Sequence, residues 1–429
     1  MAKFFNKKQR LCLHELTQAV TFLTKPLNRL ENLLTKPSGS LKTSATKFVL
    51  TIGVMSLFAD TTYEASRSII GPYLGFLGLG AAAISIITGL GELLGYGLRL
   101  VSGPLADKSQ KFWPITILGY VVQMVAVPLL AIAGNWPLAA WLIIQERVGK
   151  AIRNPPRDVM LSHAAKQIGY GWAFGVHEML DQSGAVIGPL AVAAVLAVNG
   201  VNYSMAFALL AIPASIMLSL LVVARYTYPH PESMETTPPD LHTKSLPRIF
   251  WVYLVGAVLV AMGIGGFPLM AYHLQTSGIV SADLIPVFYA IAMGVSGVGA
   301  LTFGRLFDKV GMYILIPLTM SSAVALPLIW IGNFSLSLVG VALWGLGIGV
   351  QEALIPAAVA NMVPIGRRTS AYGIFTAGYG IALFVGSVII GLLYEVSIPL
   401  LVVFGIIAEL AAIPVFIWVT RKRLRLAPT

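Results

Sequence analysis

The sequence predicts an all-α membrane protein of twelve transmembrane helices in two pseudo-symmetric six-helix bundles. Three observations carry that reading. Apolar runs of about 20 residues, enough to cross a hydrocarbon layer of about 30 Å, recur through the 429-residue chain. Lys and Arg gather in alternate loops. Short stretches of the first half reappear at matching places in the second.

Composition names the solvent. Hydrophobic residues make up 57% of the chain and charged residues 11%, against about a quarter charged in soluble domains. The apolar runs lie near 48–70, 81–105, 113–134, 137–157, 171–198, 203–225, 249–272, 283–306, 312–332, 336–360, 371–394 and 397–419. In lipid every backbone polar group must be bonded within its own segment, which runs this long achieve as helices and not as barrel strands.

A net charge of +11 could point to nucleic acid, but the positions of the 29 Lys and Arg argue otherwise. Nine precede residue 48, and the loop charges fall at Lys108 and Lys111; Arg153, Arg157 and Lys166; Arg225, Lys244 and Arg248; Arg305 and Lys309; Arg367 and Arg368. The basic run Arg421 to Arg425 closes the chain, and the intervening short loops hold no Lys or Arg. This asymmetry is the positive-inside rule, and it places both termini and the central loop in the cytoplasm of a multi-pass protein of the inner or plasma membrane.

Five segments follow. Residues 1–46 form a basic arm whose Leu13, Leu16, Val20, Leu23, Leu27, Leu30 and Leu34 line one helical face suited to an anionic inner leaflet. Residues 47–225 form the first bundle. Residues 226–247, rich in proline and acids, form a cytoplasmic linker. Residues 248–420 form the second bundle, and 421–429 a basic tail. The single cysteine, Cys12, excludes an intramolecular disulfide framework. Two sequons, at Asn202 and Asn333, fall in outer loops too short and too close to the membrane for glycans and are read as chance matches.

The halves echo each other. Gly103-Pro-Leu-Ala-Asp107-Lys108 closes the second helix and Gly304-Arg-Leu-Phe-Asp308-Lys309-Val-Gly311 closes the eighth. Ala173-Phe-Gly175 with Gly188 is matched by Ala371-Tyr-Gly373 with Gly386. On these residues the chain resembles the major facilitator superfamily over roughly residues 47–420, since both copies fit its motif A, Gly-x-x-x-Asp-Arg/Lys-x-Gly-Arg/Lys. The first copy departs by placing Gln110 at the second glycine, and the second has Met312 at the last basic position. Gly184-x-x-x-Gly188-Pro189 is similar to motif C, often associated with antiporters.

The resemblance implies two bundles alternating access to a central cavity, a small organic solute as cargo, a monomer as the working unit, and no cofactor. It implies that Gly103, Asp107, Lys108, Gly304, Asp308 and Lys309 act as a conformational latch. Motif C tips direction slightly toward export. A proton-coupled importer, or a non-transporting receptor or scaffold on the same fold, are the alternatives.

Charged side chains within the spans supply the candidate site, because each costs at least about 2.5 kcal/mol in the hydrocarbon without a partner or a watery cavity. Asp60, Tyr63, Glu64 and Arg67 stack on one face of the first helix, at i, i+3, i+4 and i+7. Glu92 and Arg99 share a face of the second. Glu146, Arg147 and Lys150 lie on the fourth, His177, Glu178 and Asp181 on the fifth, and Glu352 and Glu409 in the second half. The first half counts six acids (Asp60, Glu64, Glu92, Glu146, Glu178, Asp181) against four bases (Arg67, Arg99, Arg147, Lys150). That surplus predicts proton coupling, with Asp60 and Glu64 first and Glu178 and Asp181 in reserve. Tyr63, Arg67, Glu92, Arg99, Glu146, Arg147, Lys150 and Glu352 are the expected cavity residues. The competing reading is that these groups only pair and hold helices together. Tyr272, Trp344, Tyr372 and Tyr379 are candidates for an apolar solute wall, with interface anchoring or packing as the favoured alternative.

His177 and His273 lie in different halves and are read as hydrogen-bonding partners rather than metal ligands. The glycine-rich helices are read as close packing. No Gly-x-x-x-x-Gly-Lys-Ser/Thr loop occurs, so energy is expected from an ion gradient and not from ATP. No catalytic set at useful spacing is present, and an enzyme is not expected.

Overall fold

The structure, a computed structural model, describes residues 41–229, 246–363 and 368–426. The amphipathic arm through residue 40 and most of the linker lie outside the described residues. Among the described residues there are helices and no strands. They are α1 (Leu41–Phe76), α2 (Ala81–Gly97), α3 (Arg99–Ser109), α4 (Phe112–Leu129), α5 (Trp136–Ile168), α6 (Tyr170–Asn199), α7 (Tyr203–Leu209), α8 (Ala211–Thr227), α9 (Arg248–Gly263), α10 (Phe267–Thr276), α11 (Ile285–Val310), α12 (Leu315–Trp330), α13 (Phe334–Met362), α14 (Arg368–Val396) and α15 (Ile398–Leu426).

The pairs α2–α3, α7–α8 and α9–α10 each continue one apolar pass across a short interruption, so the fifteen helices group into twelve segments, consistent with the twelve expected spans. By length and apolarity nine of the passes among the described residues qualify as membrane spans. The remaining passes are α1 and α5, which hold the charges of the candidate site, and α13, which is apolar over Phe334–Gly349. Three helices begin alike. Asn135, Asn202 and Asn333 each accept from the backbone N–H three residues on, at 2.9–3.1 Å, satisfying an otherwise orphaned donor. Two of these are the sequon asparagines, whose side chains serve as helix caps.

Two departures from the sequence reading matter for the site. The fourth span was expected to stop near residue 157, but α5 continues through Pro155 and Pro156 to Ile168. Prolines end a helix only if nothing offsets the lost donor. Here Met160, Leu161, Ala164 and Ala165 are buried in the first bundle's core and hold the extension in place. Arg153 and Arg157, expected in a loop, are therefore helical and buried. At the chain ends, α1 starts at Leu41, inside the segment read as arm, and α15 runs on to Leu426.

Glycines set the closest helix crossings. A Cβ on Gly184 would stand 2.2 Å from Leu57 O, and one on Gly188 2.3 Å from Thr61 O, so the motif C glycines of α6 press against the α1 backbone. The same device joins α13 to α11, where a Cβ on Gly345 would stand 2.2 Å from Ala292 O and one on Gly349 2.4 Å from Ser296 O. Small residues at this spacing let membrane helices meet backbone to backbone.

Candidate functional site

The bundles meet along three helix pairs: α2 with α14, α6 with α11, and α1 with α10. On the side away from the chain ends the seam is closed. Gly71 lies so near α10 that a Cβ there would stand 1.7 Å from Pro268 O. Glu395 accepts from the Ala82 N–H at 3.0 Å, and Tyr203 and Gln275 exchange hydrogen bonds at 3.2–3.4 Å. Phe267, Tyr289 and Trp344 fill the space beneath, with ring centroids 4.5 and 5.8 Å from Phe267. Below this plug a cavity of about 780 Å³ widens toward the side carrying the chain ends, where Asp158, Phe174 and Tyr372 line it.

The cavity gathers most of the predicted site. Asp60, Tyr63, Glu64, Arg67, Glu92, Arg99, Arg147, Lys150, Glu178 and Asp181 all line it. Glu146 stands behind the wall, where its Oε2 pairs with Arg147 Nε at 3.0 Å. Trp344, Tyr372 and Tyr379 form part of the second bundle's wall, whereas Tyr272 sits in the closed seam against Gly75. The side chains of Glu352, Asp107 and Asp308 lie outside the described residues. Lys108 and Lys309 are exposed, and Gly103 and Gly304 have no tight neighbour.

Motif A nevertheless shows part of its symmetry in the backbone. Gln110 follows α3 at φ 54, the one positive-φ residue other than glycine among the described residues, and Gly311 follows α11 at φ 69. The two positions share the sign of φ but not the turn, since ψ is 17 at Gln110 and −150 at Gly311.

Hydrogen bonds and ion pairs divide the charges into three groups. The first is a chain across α1, α2 and α5. Arg67 Nη2 donates to Glu92 Oε1 at 2.6 Å and its Nη1 lies 3.7 Å from Glu64 Oε1. Arg147 Nη2 lies 3.5 Å from the same Glu92 oxygen. Tyr289 of α11 closes the chain by donating its hydroxyl to Glu64 Oε2. The second group is partnered below it: Arg157 pairs with Asp158 at 2.8 Å, and Gln182 donates to Glu178 at 3.1 Å.

The third group has no carboxylate–cation pair within ion-pair distance. Lys150 Nζ donates to Tyr63 OH at 2.9 Å. Arg153, only 1% exposed, donates through Nε to Gln123 Oε1 at 2.6 Å and through Nη1 to Tyr120 OH at 3.0 Å. Gln123 in turn donates to Glu146 at 2.8 Å. Asp60, 4% exposed, and Asp181 each keep a buried Oδ1 without a hydrogen-bonding partner. These two carboxylates on the packed faces of α1 and α6 feel each other's charge and that of Lys150 and Arg153, and Asp181 feels His177 and Arg157 more strongly still.

This arrangement corrects the charge count. With Arg153, Arg157 and Asp158 included and Glu146 left out as lying behind the wall, the described residues lining the cavity hold six acids and six bases, so no overall surplus of carboxylates remains. Glu409 is not on the cavity either. It is buried in the second bundle, where Ser322 donates to it at 2.7 Å. The histidines make hydrogen bonds as expected: His177 Nε2 lies 2.9 Å from Ser56 Oγ and His273 Nδ1 lies 3.1 Å from Tyr394 OH.

The sequence reading missed Arg153, Arg157, Asp158 and Tyr289. A signal for the arginines was present, since Lys150, Arg153, Asn154 and Arg157 repeat the i, i+3, i+4, i+7 spacing used to find the face of α1.

The comparison with known proteins decides the family. The sequence model of the Major Facilitator Superfamily matches residues 50–350. The chain belongs to the Major Facilitator Superfamily. An uncharacterized protein of Mycobacterium tuberculosis is 43% identical over 376 residues, covering 86% of this chain and 92% of the relative. An uncharacterized MFS-type transporter of Methanocaldococcus jannaschii is 24% identical over 372 residues, 84% of this chain and 91% of that one. In fold the chain is similar to the nucleoside transporter NupG, at a TM-score of 0.69 and 11% identity over 86% of this chain and 100% of that one. It is likewise similar to a peptide transporter, POT, in complex with sulfate, at 0.68 and 15% identity over 88% and 94%. As a facilitator-family protein this chain is a multi-pass membrane transporter with its central cavity between the bundles.

Proposed function

We propose that this transporter moves a small organic solute by alternating access and couples that movement to protons at Asp60 and Asp181. One observation carries the proposal. Glu64, Glu92, Asp158 and Glu178 each meet a donor, while Asp60 and Asp181 keep buried oxygens without one. An unpartnered buried carboxylate oxygen is costly when ionised and is relieved by a proton. Because both groups sit on the cavity wall, their exposure changes when the bundles rock, and a group whose proton affinity differs between two states ties proton movement to that change.

The charged groups facing Asp60 are Glu64 on its own helix, Lys150 and Arg153 from α5 and Asp181 from α6; α11 contributes Tyr289 through Glu64. Glu64 was the other first choice, but its two oxygens are engaged by Arg67 and Tyr289, which suits a structural tie between bundles. Gly184 and Gly188 answer to helix packing, so motif C supports no direction of transport. By the positive-inside rule the open side is cytoplasmic.

The test is proton flux in proteoliposomes with a trapped pH dye, challenged with a panel of small organic acids, amines and zwitterions. At least one solute should move the internal pH, and Asp60→Asn or Asp181→Asn should abolish that signal while leaving solute exchange at equal pH. Solute movement with no proton movement in the wild type would defeat the proposal.

A further inference from the structure

We propose that the solute is an organic anion with an aromatic body, its charged group held at Lys150 and its rings against the second bundle. This rests on the transporter reading above and specifies its cargo. Of the six cations lining the cavity, Arg67, Arg147 and Arg157 are claimed by carboxylates at 2.6–3.0 Å. Arg99, Lys150 and Arg153 meet no carboxylate at that range among the described residues. Arg153, 1% exposed, is held in the wall by Gln123 and Tyr120 and adds positive potential from there. Arg99 donates to Gly95 O at 3.1 Å and lies over the Tyr96 ring nearer the mouth.

Lys150 is the group placed to bind. Its ammonium carries three donors, one of which goes to Tyr63 OH, and it lies 4.2 Å from the centroid of that ring. Two donors remain for a ligand. Across the cavity the second bundle presents Trp344, Tyr372, Phe375 and Tyr379, with no charged side chain lining it among the described residues. Tyr379 stacks on Phe375 at 5.9 Å and meets Tyr96 of the first bundle edge-on at 5.7 Å, so an aromatic surface runs across the seam. A carboxylate, sulfonate or phosphate monoester on Lys150, with rings on that surface, gives the ammonium the counter-charge it lacks at ion-pair range. A cationic amphipath would instead bring its charge into the field of Lys150 and Arg153.

The same geometry links solute to proton. Lys150 and Asp60 feel each other without forming an ion pair, and Asp181, Glu64 and Arg153 complete the surroundings of Asp60. A proton on Asp60 removes one of the two carboxylates, Glu64 being the other, whose charge acts on Lys150, and frees the ammonium for the solute, so anion and proton bind together, each raising the affinity for the other.

The test is stability and titration calorimetry on the purified full-length chain with three matched probes: naphthoate, naphthylmethylammonium and naphthylmethanol. A ligand bound only by the folded state raises apparent stability. Naphthoate should stabilise the protein more than the other two, bind more tightly in mildly acidic than in mildly alkaline buffer, and lose about tenfold or more in affinity in Lys150→Gln, with partial recovery in Lys150→Arg. Preference for the ammonium probe, binding of none of the three, or naphthoate affinity indifferent to Lys150→Gln would overturn the proposal. The comparison among probes and the pH arm use the wild type, so a poorly folded variant does not stall the test. Amine-driven proton flux in liposomes would remove the anion and leave the transporter reading standing.

Discussion

The Tyr289 hydroxyl donates to Glu64 Oε2 across 225 residues of sequence, joining α11 of one bundle to α1 of the other at the closed end of the cavity. Since α1 and α11 belong to bodies that must part for the opposite side to open, this bond favours the present state over its alternate. A hydrogen bond to a charged group contributes about 1.5–3 kcal/mol, which corresponds to tenfold or more in the ratio of two states.

Tyr289→Phe should therefore shift the population toward the outward-open form by about tenfold or more. Spin labels on Val201→Cys and Ser277→Cys, in a Cys12→Ser background, read the separation of the closed seam. A distance distribution unchanged from the wild type would show that the bond does not govern the equilibrium.

Gln123 is a second tie, this one within a bundle. It accepts from Arg153 and donates to Glu146, so Gln123→Ala leaves a buried guanidinium and a buried carboxylate each short of a partner. The expected loss is about 2–3 kcal/mol of stability, seen as a lower melting temperature in detergent, and Gln123→Glu is no rescue, because it sets a second carboxylate against Glu146 in place of the donor. A melting temperature equal to the wild type would contradict the hydrogen-bond chain.

At Gln110 the prediction runs the other way. A left-handed backbone costs a side-chain-bearing residue about 1–2 kcal/mol, and glycine avoids it at the expense of unfolded-state entropy of about 0.4–1 kcal/mol. Gln110→Gly should raise stability by roughly 0.5–1 kcal/mol. A fall in stability would mean that the Gln110 side chain contributes more than its backbone costs.

Gly184→Ala separates packing from transport direction. The added methyl would meet the Leu57 carbonyl, and crowding of this kind costs about 1–3 kcal/mol. At Gly103, where the nearest atom to an added Cβ is 3.8 Å away, alanine should be tolerated. Equal melting temperatures for the two variants would remove the packing role assigned to motif C.

Much of the fold was legible because lipid imposes two strong patterns, long apolar runs and one-sided basic loops. The face of α1 bearing Asp60, Tyr63, Glu64 and Arg67 was legible by helical spacing, and all four residues reach the cavity. Ending the fourth span near residue 157 concealed the continuation of α5, and counting Arg153 and Arg157 with the loop charges hid two buried arginines. What rescues the helix there is burial of Met160, Leu161 and Ala164, a tertiary effect with no local mark. The charge balance followed the same error, since the six-against-four count omitted Arg153, Arg157 and Asp158. Tyr289 carries no signal in sequence, because its role exists only once α1 and α11 meet. That Asp60 and Asp181, rather than Glu64, keep unpartnered oxygens is likewise a matter of which neighbours fold against each carboxylate.

The central claim is that Asp60 and Asp181 exchange protons within the working range of the protein, and infrared difference spectroscopy of the carboxyl stretch reads this without any solute. In purified protein carrying Glu409→Gln, which removes the other buried carboxylate with an unpartnered oxygen among the described residues, acidification should bring up a protonated-carboxyl band that titrates away in alkaline buffer, and a further Asp60→Asn or Asp181→Asn should remove or displace it. A Glu409→Gln spectrum without such a band, or a band that persists unchanged in both further variants, would contradict the account.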